Sequence, residues 1–304
     1  MRRSYAIASQ RLAQVEDETA LVTMFVNPDA SERKYLIEEL KIDEHTLNSA
    51  LDPDELPRLE YEPEHVVVIF KNPRSYSAAD RFLLKVMSVG AFLFNDRLVI
   101  VASEDAPLLE GIRVSRVQTP MDFLLRLVSR SIFHFREHLK VISAISDQLQ
   151  DAINTSMENK HLIELFTLEK SMVYYLYAIQ GNGAVMDKLK SSAAKLKFST
   201  EQLEFLDDII VENTQCFRQA EIYSNILTSL MDARASIVSN NLNVLMKTLN
   251  IITIGLMVPT FVVSAFSMNV RIPFQEHHYA YWIVMGISLL SVIAFMSFWR
   301  YKKW

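Results

Sequence analysis

Residues 248–270 read TLNIITIGLMVPTFVVSAFSMNV, and residues 279–299 read YAYWIVMGISLLSVIAFMSFW. Neither stretch contains a charged residue. Each is about 20 residues or slightly more, the length a helix needs to cross a ~30 Å hydrocarbon core. They predict a C-terminal two-helix transmembrane hairpin, placed behind some 245 residues that read as soluble protein. A large water-soluble part tied to two spans points to a channel, a transporter or a tethered sensor.

Charge orients the hairpin. The segment between the spans, Arg271 to His278, is short, and the chain ends Arg300-Tyr301-Lys302-Lys303-Trp304. Positive charge beside a span favours the cytoplasmic side, with Trp and Tyr at the interface. Lys247 marks the inner end of the first span in the same way. Both termini are therefore expected on the cytoplasmic side of the cell (inner) membrane, with the loop outside. His277-His278 fits that interface better than a Zn²⁺ site, because neighbouring helical residues diverge by about 100°.

The 304 residues carry 31 Lys and Arg against 36 Asp and Glu, a net charge of −5. Such a chain is a poor nucleic-acid binder, and no basic stripe with interleaved aromatics is present. One cysteine, Cys216, excludes an internal disulfide framework. Met1-Arg2-Arg3 leads into mixed polar sequence with no apolar core, so no signal peptide is visible. There is no Walker A loop, G-x-G-x-x-G, H-E-x-x-H or G-x-S-x-G, so an enzyme is not expected.

Residues 1–118 read as a mixed α/β domain. Ala20–Val26, Val66–Phe70, Val89–Phe94 and Leu98–Val101 are compact apolar, β-rich runs, the last two joined as a hairpin through Asn95-Asp96-Arg97. Ser31 to Leu40 and Asp43 to Leu51 read as short helices capped at Ser31 and Asp43. Residues 119–198 read as antiparallel helices. The first is capped by Thr119 with Pro120 at its first position; the second ends at Gly181-Asn182-Gly183, two of only six glycines. A third helix begins at Ser199 and shows no stop before Ser267. It supplies a stalk (199–247) and then the first span (248–268). Its length would be about 100 Å at 1.5 Å per residue, so its apolar faces need partners. An external loop (269–278), the second span (279–299) and the basic tail (300–304) complete the chain.

Within the first span the non-aliphatic residues are ordered. Asn243, Met246, Asn250, Thr253, Met257, Thr260 and Ser264 are spaced 3, 4, 3, 4, 3, 4. They occupy an arc of about 100° on one helix face. Helix–helix packing is one reading, since Ser and Thr are common at membrane helix contacts. The other is a pore. Amides in a membrane face protein or water, and several copies around an axis would stack rings of amide, thioether and hydroxyl groups. Neutral oxygen ligands suit Mg²⁺, which sheds its water reluctantly.

The stretch Ser239-Asn240-Asn241-Leu242-Asn243-Val244-Leu245-Met246-Lys247-Thr248-Leu249 resembles the entry to the first membrane helix of the CorA family of divalent-cation channels. Ser267-Met268-Asn269 stands where that family carries Gly-Met-Asn, followed by a second span and a basic tail. Leu47-Asn48-Ser49-Ala50-Leu51-Asp52 and Pro57-Arg58-Leu59-Glu60 also look like the family. The resemblance implies a CorA-like, funnel-shaped homopentamer, with an α+β cytosolic domain, long helices and a C-terminal hairpin. It implies that Asn243, Met246, Leu249, Met257 and Thr260 line a pore, to which the stripe adds Asn250, Thr253 and Ser264, with Ser267, Met268 and Asn269 as the selectivity motif. By the same resemblance, Asp208 and Asp80 hold a regulatory divalent ion. The departure is Ser267 in place of glycine. The expected cargo is Mg²⁺, with Co²⁺ or Ni²⁺ as further ions. A Zn²⁺ transporter of the same superfamily and a non-conducting, membrane-tethered metal sensor are the alternatives.

Overall fold

The computed structural model describes residues 1–8, 11–15, 20–74, 83–105, 117–155, 159–268, 273 and 278–302. It divides into two compact units, Met1–Met231 and Asp232–Trp304.

The first unit is built on a seven-stranded sheet of order β2-β1-β3-β7-β6-β5-β4. Its strands are β1 (Arg2–Ala8), β2 (Arg11–Val15), β3 (Val22–Val26), β4 (Arg58–Tyr61), β5 (Val66–Pro73), β6 (Val86–Leu93) and β7 (Leu98–Ala102). Every neighbouring pair is antiparallel except β3 with β7. The central strands are continuous apolar runs because both faces of the sheet are covered. Successive residues of β5 go to opposite sides: Val68 and Phe70 enter the larger core, Val67 and Ile69 the smaller one.

The smaller core lies under α1 (Ala30–Glu38) and α2 (Glu44–Leu51). Gly90 of β6 lets α2 approach, since a Cβ there would lie 2.4 Å from that of Ala50. Asp43 caps α2 as expected. The cap of α1 is Asp29 and not Ser31. Asp29 accepts from the backbone N–H groups of Ser31 and Glu32, while Glu32 reaches back to the Asp29 N–H. That reciprocal box satisfies more donors than a serine hydroxyl at position 31 could.

The larger core packs the other face of the sheet against α3 (Pro120–Thr155), α4 (Asn159–Ser191) and the first part of α5 (Thr200–Phe266). α3 starts where Thr119-Pro120 predicts. The Thr119 hydroxyl accepts from the Asp122 N–H, and the Asp122 carboxylate accepts from the Thr119 N–H. α5 opens on a matching pair, Ser199 with Gln202.

The helix end expected at Gly181-Asn182-Gly183 does not occur: α4 runs through it to Ser191. Each residue has a packing reason. A Cβ at position 181 would lie 2.6 Å from Pro57 Cγ, and one at 183 would lie 3.0 Å from Asn213 Nδ2. Asn182, buried between them, accepts from the Lys71 N–H at 2.7 Å and donates to the Lys71 carbonyl at 2.9 Å. β4 pairs only with Val66–Ile69, so the outer edge of β5 at Lys71 has no strand, and the asparagine amide takes its place. Helix propensity disfavours glycine by about 1 kcal/mol; close approach and two buried hydrogen bonds outweigh it.

β1, β2 and β4 are additions to the strands expected from the sequence. Their residues are mixed in polarity, and the sheet's register, more than an apolar run, makes them strands.

The second unit holds the remainder of α5 and α6 (Ala280–Tyr301). α5 continues unbroken to Phe266 despite Pro259, and both helices are long and apolar enough to cross a membrane.

Candidate functional site

The two faces of α5 in the second unit differ. Ile251, Gly255, Val258, Pro259, Val262 and Phe266 are half-buried, and Gly255 meets α6, where its Cβ would lie 3.5 Å from the Phe295 ring. Asn243, Met246, Leu249, Asn250, Thr253, Met257, Thr260 and Ser264 are all exposed. At 100° per residue the centres of these two sets lie about 170° apart. Packing within the hairpin therefore does not account for the polar stripe. Met246, Leu249 and Met257 are 62%, 63% and 64% exposed, a row of large apolar side chains mixed with amides and hydroxyls and suited to a further surface.

The hydroxyls on this face point their protons inward. Thr253 Oγ1 donates to the Leu249 carbonyl at 2.8 Å, and Thr260 Oγ1 to the Leu256 carbonyl at 2.6 Å. With the donor spent on the helix, what remains on each oxygen is acceptor capacity. A face of hydroxyl lone pairs and amide carbonyls suits a cation's hydration water. Thr253, Met257, Thr260 and Ser264 share a groove there with Leu256 and Phe261.

The helix stops at Phe266. Ser267 closes a tighter turn: its N–H reaches the Ser264 carbonyl at 3.1 Å and its hydroxyl donates to the same oxygen at 2.9 Å. The described non-glycine residues with positive φ are Asn27, Lys41 and Lys197. Ser267 is not among them, so its side chain is accommodated there without backbone strain, and its hydroxyl adds a bond to the helix end. Met268 is exposed; Asn269 lies outside the described residues.

Asp208 is exposed on α5 and lines a cavity of about 750 Å³ in the first unit with Asp122, Arg126, Glu201, Glu204 and Phe205. Burial pushes the Asp122 carboxyl up, but hydrogen bonds from Gln202 and from the N–H groups of Gln118 and Thr119 outweigh it and hold it below the usual carboxylate range. Asp207 is bound to Lys190 at 2.8 Å. Among the described residues no three His, Cys, Asp or Glu side chains converge as a chelate. Asp80 lies outside the described residues. Sequence reasoning missed Arg126 and Phe205 here, because nothing in the chain order tells which face of α3 meets which face of α5.

An α/β domain, long helices and two helices long and apolar enough to cross a membrane, the first with a polar stripe turned away from the second, fit a membrane transport protein. The family model described as CorA-like Mg²⁺ transporter protein matches residues 23–303, and the chain belongs to that family of divalent-cation transporters. It is similar to the cobalt/magnesium transport protein CorA of Methanocaldococcus jannaschii, with 21% identity over 288 residues covering 91% of this chain and 89% of that one. The complete structure of the CorA magnesium transporter from the same organism matches with a TM-score of 0.85 at 19% identity, over 99% of this chain and 97% of that one. The ZntB cytoplasmic domain from Vibrio parahaemolyticus matches with a TM-score of 0.61 at 13% identity, over 78% and 98%. At such identities the structural likeness carries the fold, and the fold is the one expected: an α+β domain, long helices and a C-terminal hairpin.

Proposed function

We propose that this chain forms a homopentameric channel for hydrated divalent cations, Mg²⁺ foremost, with Co²⁺ and then Ni²⁺ as further substrates. The stripe from Asn243 to Ser264 lines the pore, and Ser267, Met268 and Asn269 form the mouth that selects hydrated ions. Both termini lie in the cytoplasm, the hairpin crosses the cell membrane, and residues 1–118, 119–198 and 199–247 serve as cytosolic domain, helical support and stalk. The observation that carries this reading is the orientation of the stripe: its oxygens face away from α6, and one helix cannot enclose a path alone. The names of the Methanocaldococcus relatives, a cobalt/magnesium and a magnesium transporter, agree with the choice of cargo. Asp208 and Asp80 bind an intracellular divalent ion between subunits. That ion relieves carboxylate repulsion, and its loss favours the open pore.

Zinc transport is the second reading, favoured by Ser267 in the signature and by the fold shared with a ZntB domain. One experiment separates them. The purified protein is reconstituted in liposomes, and entry of Mg²⁺, Co²⁺ and Zn²⁺ is followed under an inside-negative potential. Mg²⁺ entry that collapses in Asn269→Ala is the expected result. Zn²⁺ entry without Mg²⁺ entry would move the chain to the zinc reading. No flux from a folded, oligomeric protein would leave a tethered sensor.

A further inference from the structure

The cavity between α3 and α5 sets one cation among several acids. Asp122 is engaged by the N–H groups of Gln118 and Thr119 at the start of α3 and by the side-chain amide of Gln202. Glu201, Glu204 and Asp208 make no ion pair among the described residues, whereas the adjacent Asp207 is held by Lys190. Arg126 projects from α3 and lies over the Phe205 ring, its guanidinium carbon 5.3 Å from the centroid. Its Nε is buried without a hydrogen-bond partner, and no described carboxylate lies within ion-pair distance of it. Glu201, Glu204, Phe205 and Asp208 fall within about 100° on α5. The Phe205 ring therefore seats the guanidinium on the carboxylate-bearing face, in the cavity that Glu201, Glu204 and Asp208 also line, with no ion pair to any of them.

We propose that Arg126 is a tethered competitor of the regulatory divalent cation. When the cation is scarce, the guanidinium pivots from Phe205 onto Asp208 and Glu204; when it is abundant, the ion displaces the guanidinium back onto the ring. Arg126 thereby sets the concentration at which Asp208 senses the ion. This rests on the reading of Asp208 as a sensor. The physical basis is ordinary. Arginine is always charged and stacks on aromatic faces, an exposed cation–π seat holds it only weakly, and a unit positive charge near a divalent ion weakens that ion's binding. Such a weak seat can be exchanged for a carboxylate pair as the local ion occupancy changes.

The test uses the full-length protein in detergent, with its thermal unfolding midpoint measured against Mg²⁺ concentration. A ligand that binds only the folded state raises the midpoint. Wild type shows a rise that is lost in Asp208→Asn. Arg126→Gln reaches half of its rise at a Mg²⁺ concentration about three- to tenfold lower than wild type, an effect that shrinks in high salt. Arg126→Lys, which keeps the charge, stays near wild type. Phe205→Leu removes the seat, frees the guanidinium for the acids and shifts the half-point upward. An Arg126→Gln protein with a lower midpoint but an unshifted half-point would make Arg126 a packing strut and overturn the proposal while leaving Asp208 a sensor. A rise that survives Asp208→Asn, or no rise in wild type, would overturn the sensor reading and the competitor with it.

Discussion

Asn182 shows how one side chain can decide whether a helix continues. Flanked by two glycines, it carries the local marks of a break, yet its amide completes the edge of β5 where β4 has ended. Asn182→Ala would leave the Lys71 N–H buried and unpaired, while the Lys71 carbonyl would keep the Ser131 hydroxyl. An orphaned buried donor costs about 1–3 kcal/mol. The substitution is expected to lower the thermal unfolding midpoint of the detergent-solubilised protein by several degrees. An unchanged midpoint would mean that water replaces the amide at no cost. Ser267 and Asp29 teach the same lesson at smaller scale: residue type restricts what a position can do, and its neighbours choose among the options.

The two faces of α5 in the second unit have separate duties. Gly255, on the face that meets α6, has room for a methyl group, since its Cβ would stand 3.5 Å from Phe295, an ordinary contact. A leucine there would extend into the ring and force the helices apart, at about 1–3 kcal/mol. Gly255→Ala is expected to transport like wild type. Gly255→Leu should lose both flux and thermal stability without any change to the polar stripe. Equal flux in the two variants would show that α6 does not brace the pore helix at this level. The stripe itself was legible in the sequence, because a 3-and-4 spacing maps onto a helix face without knowledge of neighbours. The direction it faces was not, because spacing leaves the rotation of a helix against its partner undetermined.

At the scale of the whole molecule, the proposed channel lets the membrane potential drive the ion. A divalent ion gains about 4.6 kcal/mol per 100 mV, twice the value for a single charge. With equal Mg²⁺ on both sides of a liposome, net entry should follow an imposed inside-negative potential, vanish at zero and reverse with its sign. Entry that ignores the potential would exclude uncoupled electrodiffusion. On the proposed reading this behaviour belongs to an assembly, since the stripe of one chain is an open surface that copies around an axis would close into a path.

Two stretches without charge, a basic end and a periodic polar stripe determined that the chain ends in a membrane hairpin, because lipid penalises charge and unpaired backbone whatever the rest of the protein does. The apolar runs likewise determined the central strands, since only a doubly covered sheet buries them. Tertiary structure alone decided that β1, β2 and β4 extend that sheet, that α4 passes through its two glycines, and that Arg126 of α3 comes to lie over Phe205 of α5 in the cavity that Asp208 lines. Each of these depends on contacts between residues far apart in sequence. A strand edge, a close helix approach or a cavity wall exists only when its second half arrives from elsewhere in the chain.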